Sequence, residues 1–212
     1  MAIIAITGRK GGIGKSTIAG NLAAEFEAMG KTVVLLDADP QHSLAAWAAQ
    51  GDGMLSRCVQ VVDGEGLRDA ARKVAKEADI VLIDTPPGMP QTAHDAAMVA
   101  DLVLLPCGPS PLDVFALKDA LSLTLKARAQ RRNKKPRIRF VASKVLMHTN
   151  LGRSLSSSLE KMGKKVLPPI GQRIVVAEAV SKGLTVAEFA PSSAAREEFQ
   201  ALAKAVHKIA NR

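Results

Sequence analysis

The residues best suited to chemistry lie near the N-terminus, in the glycine-rich stretch 10–17, which reads Lys-Gly-Gly-Ile-Gly-Lys-Ser-Thr. It follows a short apolar run and opens a helical pattern, and a loop between a strand and a helix N-terminus is an anion site. We predict that Lys15 contacts the β- and γ-phosphates of a nucleotide and that the Ser16 hydroxyl is a ligand of Mg²⁺. The other predicted nucleotide-binding residues of this loop are Lys10, Gly11, Gly12, Ile13, Gly14 and Thr17.

This loop has one lysine more than a single nucleotide needs. The common phosphate-loop pattern has glycine five residues before Gly14, but this chain has Arg9 there, followed by Lys10. One lysine is enough to hold the phosphates of one nucleotide. Lys10 is therefore either a solvated loop residue or a residue that meets phosphate carried by something else.

Three aspartates follow apolar runs of the kind that form buried parallel strands. Asp37 and Asp39 come after the run 32–36, and Asp84 comes after the run 80–83. Ligands of open α/β sheets bind at the carboxyl ends of the strands. We predict that Ser16, Asp39 and Asp84 surround the metal, and that Asp39 orients the hydrolytic water and accepts its proton.

Asp37 has two interpretations, since it either faces the phosphates or metal, and so belongs with the nucleotide-binding residues, or caps a helix or turn. The second interpretation is also open for Asp39.

The rest of the chain alternates short apolar runs with helical patterns, which is typical of a parallel sheet with crossover helices. Strands are predicted at 2–7, 32–36, 58–62, 80–83, 102–105, 138–142 and 166–167, and helices at 16–29, 43–50, 65–77, 91–99, 112–130, 150–162, 175–181 and 193–210. We expect an α/β fold, a mostly parallel twisted sheet with helices on both faces. No repeat or linker divides the sequence, so we expect a single domain over residues 1–212.

Two strand ends on the far side of the predicted site are candidates for contacting the base. They contribute Pro106 and Ser143. The Asn-Lys-x-Asp pattern of GTP-binding proteins is absent at 143–146, which favours ATP over GTP.

Composition indicates a phosphate-rich partner. The net charge is +9 and the sequence pI about 9.8, which favours attraction to nucleic acid or an anionic membrane. One tryptophan, five phenylalanines and no tyrosine argue against base-stacking on single strands.

Cys58 and Cys107 form no CxxC pair and are typical of a reduced, cytoplasmic protein. The chain has no apolar run of membrane-spanning length, and we do not expect membrane insertion.

Three motifs together resemble the ParA/MinD superfamily of deviant Walker-type ATPases. They are the loop 10–16, the segment Asp37-Ala-Asp-Pro-Gln41 and the segment Leu82-Ile-Asp-Thr-Pro-Pro-Gly88. The segments 101–106 and 109–113 are similar to the small ParA branch that includes ParF. The resemblance runs over nearly the whole chain, and it implies a P-loop NTPase fold of the deviant Walker A type.

The resemblance implies an ATPase, weak alone and stimulated by a partner protein, that forms a sandwich dimer when ATP is bound. The family's counterpart of Lys10 reaches the phosphates of the other subunit, so Lys10, Lys15 and Asp39 are the predicted catalytic residues. The implied cofactors are ATP or ADP and Mg²⁺.

Proteins of this kind bind double-stranded DNA without sequence preference and segregate plasmids or chromosomes, or position other cargo. The resemblance thus implies a cytoplasmic, nucleoid-associated protein with a ParB-like or other stimulating partner. Because the chain starts at the first strand, we expect that it lacks the N-terminal helix-turn-helix domain of larger ParA proteins.

A basic run at 128–139 has two interpretations, a solvated helix–strand connection or a patch that contacts DNA phosphates. Several phosphate contacts would make the affinity for DNA fall steeply with salt. The predicted DNA-binding residues are Arg131, Arg132, Lys134, Lys135, Arg137 and Arg139.

A MinD-like membrane-associated positioning ATPase is the alternative function. It needs a C-terminal amphipathic helix with a bulky apolar face. The segment 201–212 has Leu202, Val206 and Ile209 at helical spacing, but it is rich in alanine and lacks Phe and Trp. We therefore expect it to dock on the domain.

An iron–sulfur electron carrier of the same superfamily is a third possible function. It needs a cysteine soon after Asp84, and 84–99 contains none.

Overall fold

The computed structural model describes residues 1–210 and contains a seven-stranded sheet in which all neighbouring strands are parallel. The strands are β1 (Ala2–Ile6), β2 (Val33–Asp37), β3 (Val59–Val61), β4 (Ile80–Asp84), β5 (Leu102–Cys107), β6 (Arg137–Ala142) and β7 (Val166–Leu167). Their order in the sheet is β3-β2-β4-β1-β5-β6-β7. All seven predicted strands are present, and the predicted fold class is confirmed.

Helices connect the strands. They are α1 (Lys15–Ala28), α2 (Ser43–Ala48), α3 (Leu55–Cys58), α4 (Leu67–Val74), α5 (Pro90–Val99), α6 (Pro111–Gln130), α7 (Asn150–Glu160), α8 (Ile174–Ser181), α9 (Val186–Phe189) and α10 (Ala194–Ala210). α3 and α9 were not predicted from the sequence, because four residues are too few to show a helical period. The helix predicted at 65–77 is shorter than expected, since the 3-10 turn Gly64–Gly66 precedes α4. Within residues 1–210, no helix combines the length and apolar character needed to cross a membrane.

Each face of the sheet has its own apolar core. Successive side chains of a strand point to opposite faces. In β1, Ile4 and Ile6 pack with α1 and α10 on one face, while Ile3 and Ala5 pack with α4, α5 and α6 on the other. Burial on both faces explains why β1 and β4 read as continuous apolar runs rather than alternating ones.

The sheet topology brings the predicted motifs to one edge. β1 lies between β4 and β5, and β2 lies on the far side of β4. Ile6 is opposite Asp84, and Asp84 is opposite Asp37 in the parallel register. Because parallel strands end at the same edge, the loop after β1 and both aspartates meet there.

Candidate functional site

The loop between β1 and α1 presents the positive end of a helix. α1 begins at Lys15, and its N-cap Gly14 has the left-handed φ of 92° and no side chain that could cap the helix. Gly12 also has a positive φ, 73°, which favours glycine at both positions. The first turn, 15–18, has no acidic residue, so the helix dipole is not neutralised by its own sequence. This geometry is suited to binding an anion.

Lys15 is nearly buried beneath the loop. Its exposed fraction is 6%, and its ammonium group donates a long hydrogen bond, 3.4 Å, to the carbonyl oxygen of Lys10. Burial lowers the pKa of Lys15, while the charges of Asp84 and Asp39 oppose that shift. A buried ammonium group with one weak hydrogen bond attracts anionic oxygens strongly. Its contact with the phosphates stays a prediction.

Asp84 is fully buried at the end of β4. Neither of its carboxylate oxygens has a hydrogen-bond partner of good geometry among residues 1–210. Burial raises the pKa of Asp84 to about 7, an effect that the Ser16 hydroxyl and the Lys15 charge partly oppose and that Asp37 and Asp39 increase. Buried polar groups are nearly always paired, so this carboxylate is suited to a cation or its water ligands.

The donors at this edge fit a magnesium ion that the nucleotide helps to hold. Among residues 1–210, no group of three His, Cys, Asp or Glu side chains could bind a metal by itself. Magnesium at nucleotide sites takes one or two protein oxygens, and phosphate and water supply the rest. The Ser16 hydroxyl and the unpartnered Asp84 carboxylate match that requirement. Asp39 is close enough to affect the pKa of Asp84 and of Lys15.

The two aspartates after β2 have different surroundings. The buried Asp37 carboxylate accepts hydrogen bonds from the backbone N–H groups of Asp39 (3.1 Å), Leu44 (3.1 Å) and Ala45 (3.0 Å). Asp37 therefore holds the first turn of α2, which favours the helix-cap interpretation over a phosphate contact. Within the described residues, one hydrogen bond reaches the Asp39 carboxylate, from the N–H of Gln41 (2.9 Å). Asp39 is thus less occupied and better placed for chemistry.

Lys10 is held differently from Lys15. Its ammonium group pairs with the carboxylate of Asp113, in the first turn of α6. The Lys10 side chain is 41% exposed, whereas Asp113 is 10% exposed. From the sequence, Asp113 stands out only as part of the segment 109–113 that resembles the ParA branch. No sequence signal links these residues, which are 103 positions apart.

A cavity of about 720 Å³ adjoins the loop. Gly14, Thr17 and Ser143 form one side of it, and 170–180 forms the other. A Cβ atom at Gly14 would lie 2.9 Å from the Ser143 Oγ, so the loop approaches β6 this closely only with glycine. Drug-sized ligands bind in cavities of this size, and the adjacent loop makes this one suitable for a nucleoside.

The two predicted base contacts do not line the same cavity. Ser143 lines the large cavity, whereas Pro106 lines a small separate pocket with Lys10 and Asp113. The segment 170–180, which includes most of α8, was not among the predicted site residues. A helical pattern in the sequence predicts a helix but does not show which part of the site that helix packs against.

The predicted DNA-binding run divides into held and free side chains. Four members are held within the chain: Arg131 donates to the Ala97 and Ala100 carbonyls, Lys135 pairs with Asp101, Arg137 donates to the Ile209 carbonyl and Arg139 donates to the Ile138 carbonyl. Within residues 1–210, the exposed side chains of Arg132 and Lys134 have no such partner. They precede β6 and so lie at the amino edge of the sheet, opposite the glycine-rich loop.

The comparison with known families agrees with this geometry. Residues 4–186 match the model of the CobQ/CobB/MinD/ParA nucleotide binding domain, CbiA. The chain belongs to this family. The resemblance to the ParA/MinD superfamily, first suggested by the three motifs, is confirmed.

Relatives in the CobQ/CobB/MinD/ParA family cover most of the chain. Maintenance of carboxysome distribution protein A of Halothiobacillus neapolitanus is 30% identical over 187 residues, covering 86% of this chain and 85% of that protein. The chromosome-partitioning ATPase Soj of Thermus thermophilus is 29% identical over 238 residues, covering 96% and 94%. The fold matches the septum site-determining protein MinD of Pyrococcus horikoshii, solved with Mg-ADP, with a TM-score of 0.74 and 22% identity, covering 99% and 97%.

Proposed function

We propose that this protein is an ATP-hydrolysing partition protein of the ParA type. It forms a sandwich dimer when ATP is bound, binds double-stranded DNA without sequence preference, and segregates a plasmid or chromosome or positions another cargo. A ParB-like or other partner protein stimulates its hydrolysis. Membership of a nucleotide-binding family supports ATP as the ligand, and the names of the relatives, carboxysome distribution and chromosome partitioning, support a positioning role.

The observation that carries this proposal is the contrast between the two lysines of one loop. Lys15 is nearly buried beside Asp84 and Asp39, where it serves the nucleotide of its own subunit. Lys10 lies at the edge of the loop and its side chain is 41% exposed, with its ammonium group paired with Asp113 of α6. Once it leaves Asp113, this partly exposed lysine beside the phosphate cradle can reach a nucleotide held by another copy of the chain.

The residues at the sheet edge divide the chemistry of hydrolysis between them. Lys15 and the N–H groups at the start of α1 bind the phosphates, and Ser16 and Asp84 hold the metal. Bound Mg²⁺ supplies neutralisation of the charge on the phosphate oxygens. Asp39 orients the attacking water and accepts its proton, and Lys10 of the second subunit stabilises the charge that develops on the phosphoryl group.

Binding to DNA in this proposal is electrostatic. The net charge of +9 favours a polyanion, and Arg132 and Lys134 are the members of the basic run available for phosphate contacts. Association with the nucleoid follows from this contact. Such contacts carry no sequence information, which suits a protein that must move along any DNA.

The structure gives no support to the membrane-associated alternative. A membrane-binding helix must leave its apolar face free. In α10, the apolar residues Phe199, Leu202 and Val206 are buried against α1 and the sheet. The apolar face of this helix is therefore covered by the domain, and the predicted docking holds for the part of the segment 201–212 that lies within residues 1–210.

The proposal is tested by measuring ATP turnover and binding to random-sequence DNA and anionic liposomes, with ATP, ADP or no nucleotide, at low and high salt. We expect DNA binding that requires ATP and weakens with salt, and specific ATPase activity that rises with protein concentration because the active site is shared by two subunits. Binding to liposomes without binding to DNA would overturn the proposal.

Lysine variants separate the two roles in the loop. Lys15→Ala is expected to weaken ATP binding about tenfold or more, because it removes a charged hydrogen-bond donor. Lys10→Ala should bind ATP normally but lose the concentration-dependent part of turnover. Lys76→Ala, on an exposed surface after α4, is the control and should behave as wild type. Normal turnover by Lys10→Ala would exclude the shared site.

A further inference from the structure

One wall of the 720 Å³ cavity lies outside regular secondary structure. It is the segment 170–173, between the edge strand β7 and α8. On its inner side it pairs with the end of β6 and the residues after it: the Ile170 N–H donates to the Ala142 carbonyl, and the Ile170 carbonyl and Gln172 N–H bond to the backbone of Val145. Because β7 is the edge strand of the sheet, no strand within residues 1–210 lies on its outer side.

On the outer side of this segment, the side chain of Glu198 from α10 accepts the hydrogen bonds that a further strand would otherwise provide. Its Oε2 accepts a hydrogen bond from the Gly171 N–H (2.9 Å), and its Oε1 accepts two from the Arg173 guanidinium, from Nε (3.1 Å) and Nη2 (2.7 Å). These hydrogen bonds raise the pKa of Arg173. Hydrogen bonds between charged groups are short and stronger than neutral ones, and a planar guanidinium fixes their direction.

Close packing at Gly171 shows that this contact is built into the fold. A Cβ atom there would lie 3.2 Å from each carboxylate oxygen of Glu198 and 3.4 Å from the Arg173 Nε. The glycine thus leaves room for the carboxylate to reach the backbone. Arg173 and its neighbours Gln172 and Ile174 line the cavity directly.

We propose that Glu198 is a positioning residue for the nucleoside part of the bound nucleotide. It holds the backbone of Gly171 and the side chain of Arg173 in the conformation that forms the cavity wall, and so couples the last helix of the chain to the base and ribose. The inference rests on the proposed function, because it takes the ligand of the cavity to be the nucleoside of ATP. The glycine-rich loop and Lys15 bind the phosphates without this wall.

The test compares ATP with inorganic triphosphate, each with Mg²⁺, because triphosphate fills only the phosphate loop. Calorimetric titration of Glu198→Ala should show ATP affinity reduced about tenfold, as expected for losing hydrogen bonds of a charged group. Affinity for triphosphate should stay within about twofold of wild type. Glu198→Gln keeps an acceptor for the Gly171 N–H but loses the charge opposite Arg173, so its loss for ATP should be smaller.

Two controls distinguish positioning from a general loss of stability. Arg173→Lys keeps the charge but loses the contact of two nitrogens with Glu198 Oε1, and should resemble Glu198→Gln. Arg72→Ala breaks an exposed ion pair on α4 and should bind both ligands as wild type.

Wild-type ATP affinity in Glu198→Ala, or an equal loss of affinity for ATP and triphosphate, would overturn the inference while the proposed function stands. A wild-type protein that binds triphosphate but gains nothing from the nucleoside would overturn the inference. Failure of the wild type to bind ATP would overturn both.

Discussion

The ammonium group of Lys10 is paired with the carboxylate of Asp113 within the same chain. Asp113 is also fixed from its own side, because it closes a capping box with Ser110 at the start of α6. The aspartate is thus held from two sides and 10% exposed, whereas the lysine is 41% exposed. If Lys10 serves the nucleotide of another subunit, it must first leave this contact, so dimer formation competes with an ion pair inside the monomer.

Replacing Asp113 with asparagine should therefore strengthen ATP-dependent dimerisation. The change removes the charge that retains Lys10 in each subunit. Because two partly exposed ion pairs, each worth on the order of 1 kcal/mol, then no longer oppose association, we expect the dimer dissociation constant to fall by about 30-fold. Analytical ultracentrifugation with a non-hydrolysable ATP analogue measures this constant. The matched control is Asp119→Asn. Asp119 lies on α6 with Asp113, and its carboxylate pairs with Arg9. Weaker dimerisation of Asp113→Asn would show that the carboxylate supports the dimer instead.

Asp39→Ala is expected to separate ATP binding from hydrolysis. The variant keeps Lys15, Ser16 and Asp84, so it should bind ATP and accumulate as a dimer, while turnover falls by about 100-fold or more with the loss of the base. Phosphate release and light scattering after size-exclusion chromatography report the two properties. Gln41→Ala keeps the backbone N–H that binds Asp39 and should turn over normally. Rapid hydrolysis by Asp39→Ala would exclude Asp39 as the base.

Asp84→Asn should stabilise the nucleotide-free protein in a pH-dependent way. The pKa of Asp84 is raised from 3.8 to about 7 on folding, so ionisation opposes folding. This cost is absent well below pH 4, grows as pH rises, and is complete above pH 7. We expect a gain in the free energy of unfolding on the order of 3 kcal/mol at pH 8, and less than half of that at pH 5.

Urea unfolding at the two pH values measures the Asp84 effect. Asp52→Asn, at an exposed position, should show no difference between them. An equal gain in the free energy of unfolding at both pH values would show that ionisation of Asp84 does not cause the effect. The same Asp84→Asn variant should lose Mg²⁺-dependent hydrolysis, because the Asp84 carboxylate is the proposed Mg²⁺ ligand.

Within the basic run, the side chains that contact DNA should differ from those that stabilise the fold. Replacing Arg132 and Lys134 together with alanine should weaken DNA binding and reduce the slope of log affinity against log salt by about two, with little change in thermal stability. Arg131→Ala should instead destabilise the protein, because it leaves the carbonyls of Ala97 and Ala100 at the end of α5 without their donor. An unchanged salt slope in the double variant would place the DNA contacts elsewhere.

The sequence by itself determined the parts of the site that depend on local order. The glycine-rich loop, Ser16 and Asp84 are read from short motifs, and the apolar runs before them predict strands. Since parallel strands end at a common edge, their convergence follows from the fold class alone. The seven strands and the longer helices were predictable because their apolar and helical patterns are local, whereas the four-residue helices α3 and α9 were not predicted.

The tertiary structure decided which partner each polar group has, because contacts between distant elements depend on packing rather than on periodicity. It gave Asp37 to the first turn of α2, paired Lys10 with Asp113, and placed Pro106 away from the cavity that Ser143 lines. It also divided a uniform basic run into side chains held by carbonyls or Asp101 and two that are free in the described chain. The basic side chains of that run carry the same charge, so the sequence could not separate them; the neighbouring helices and strands made the difference.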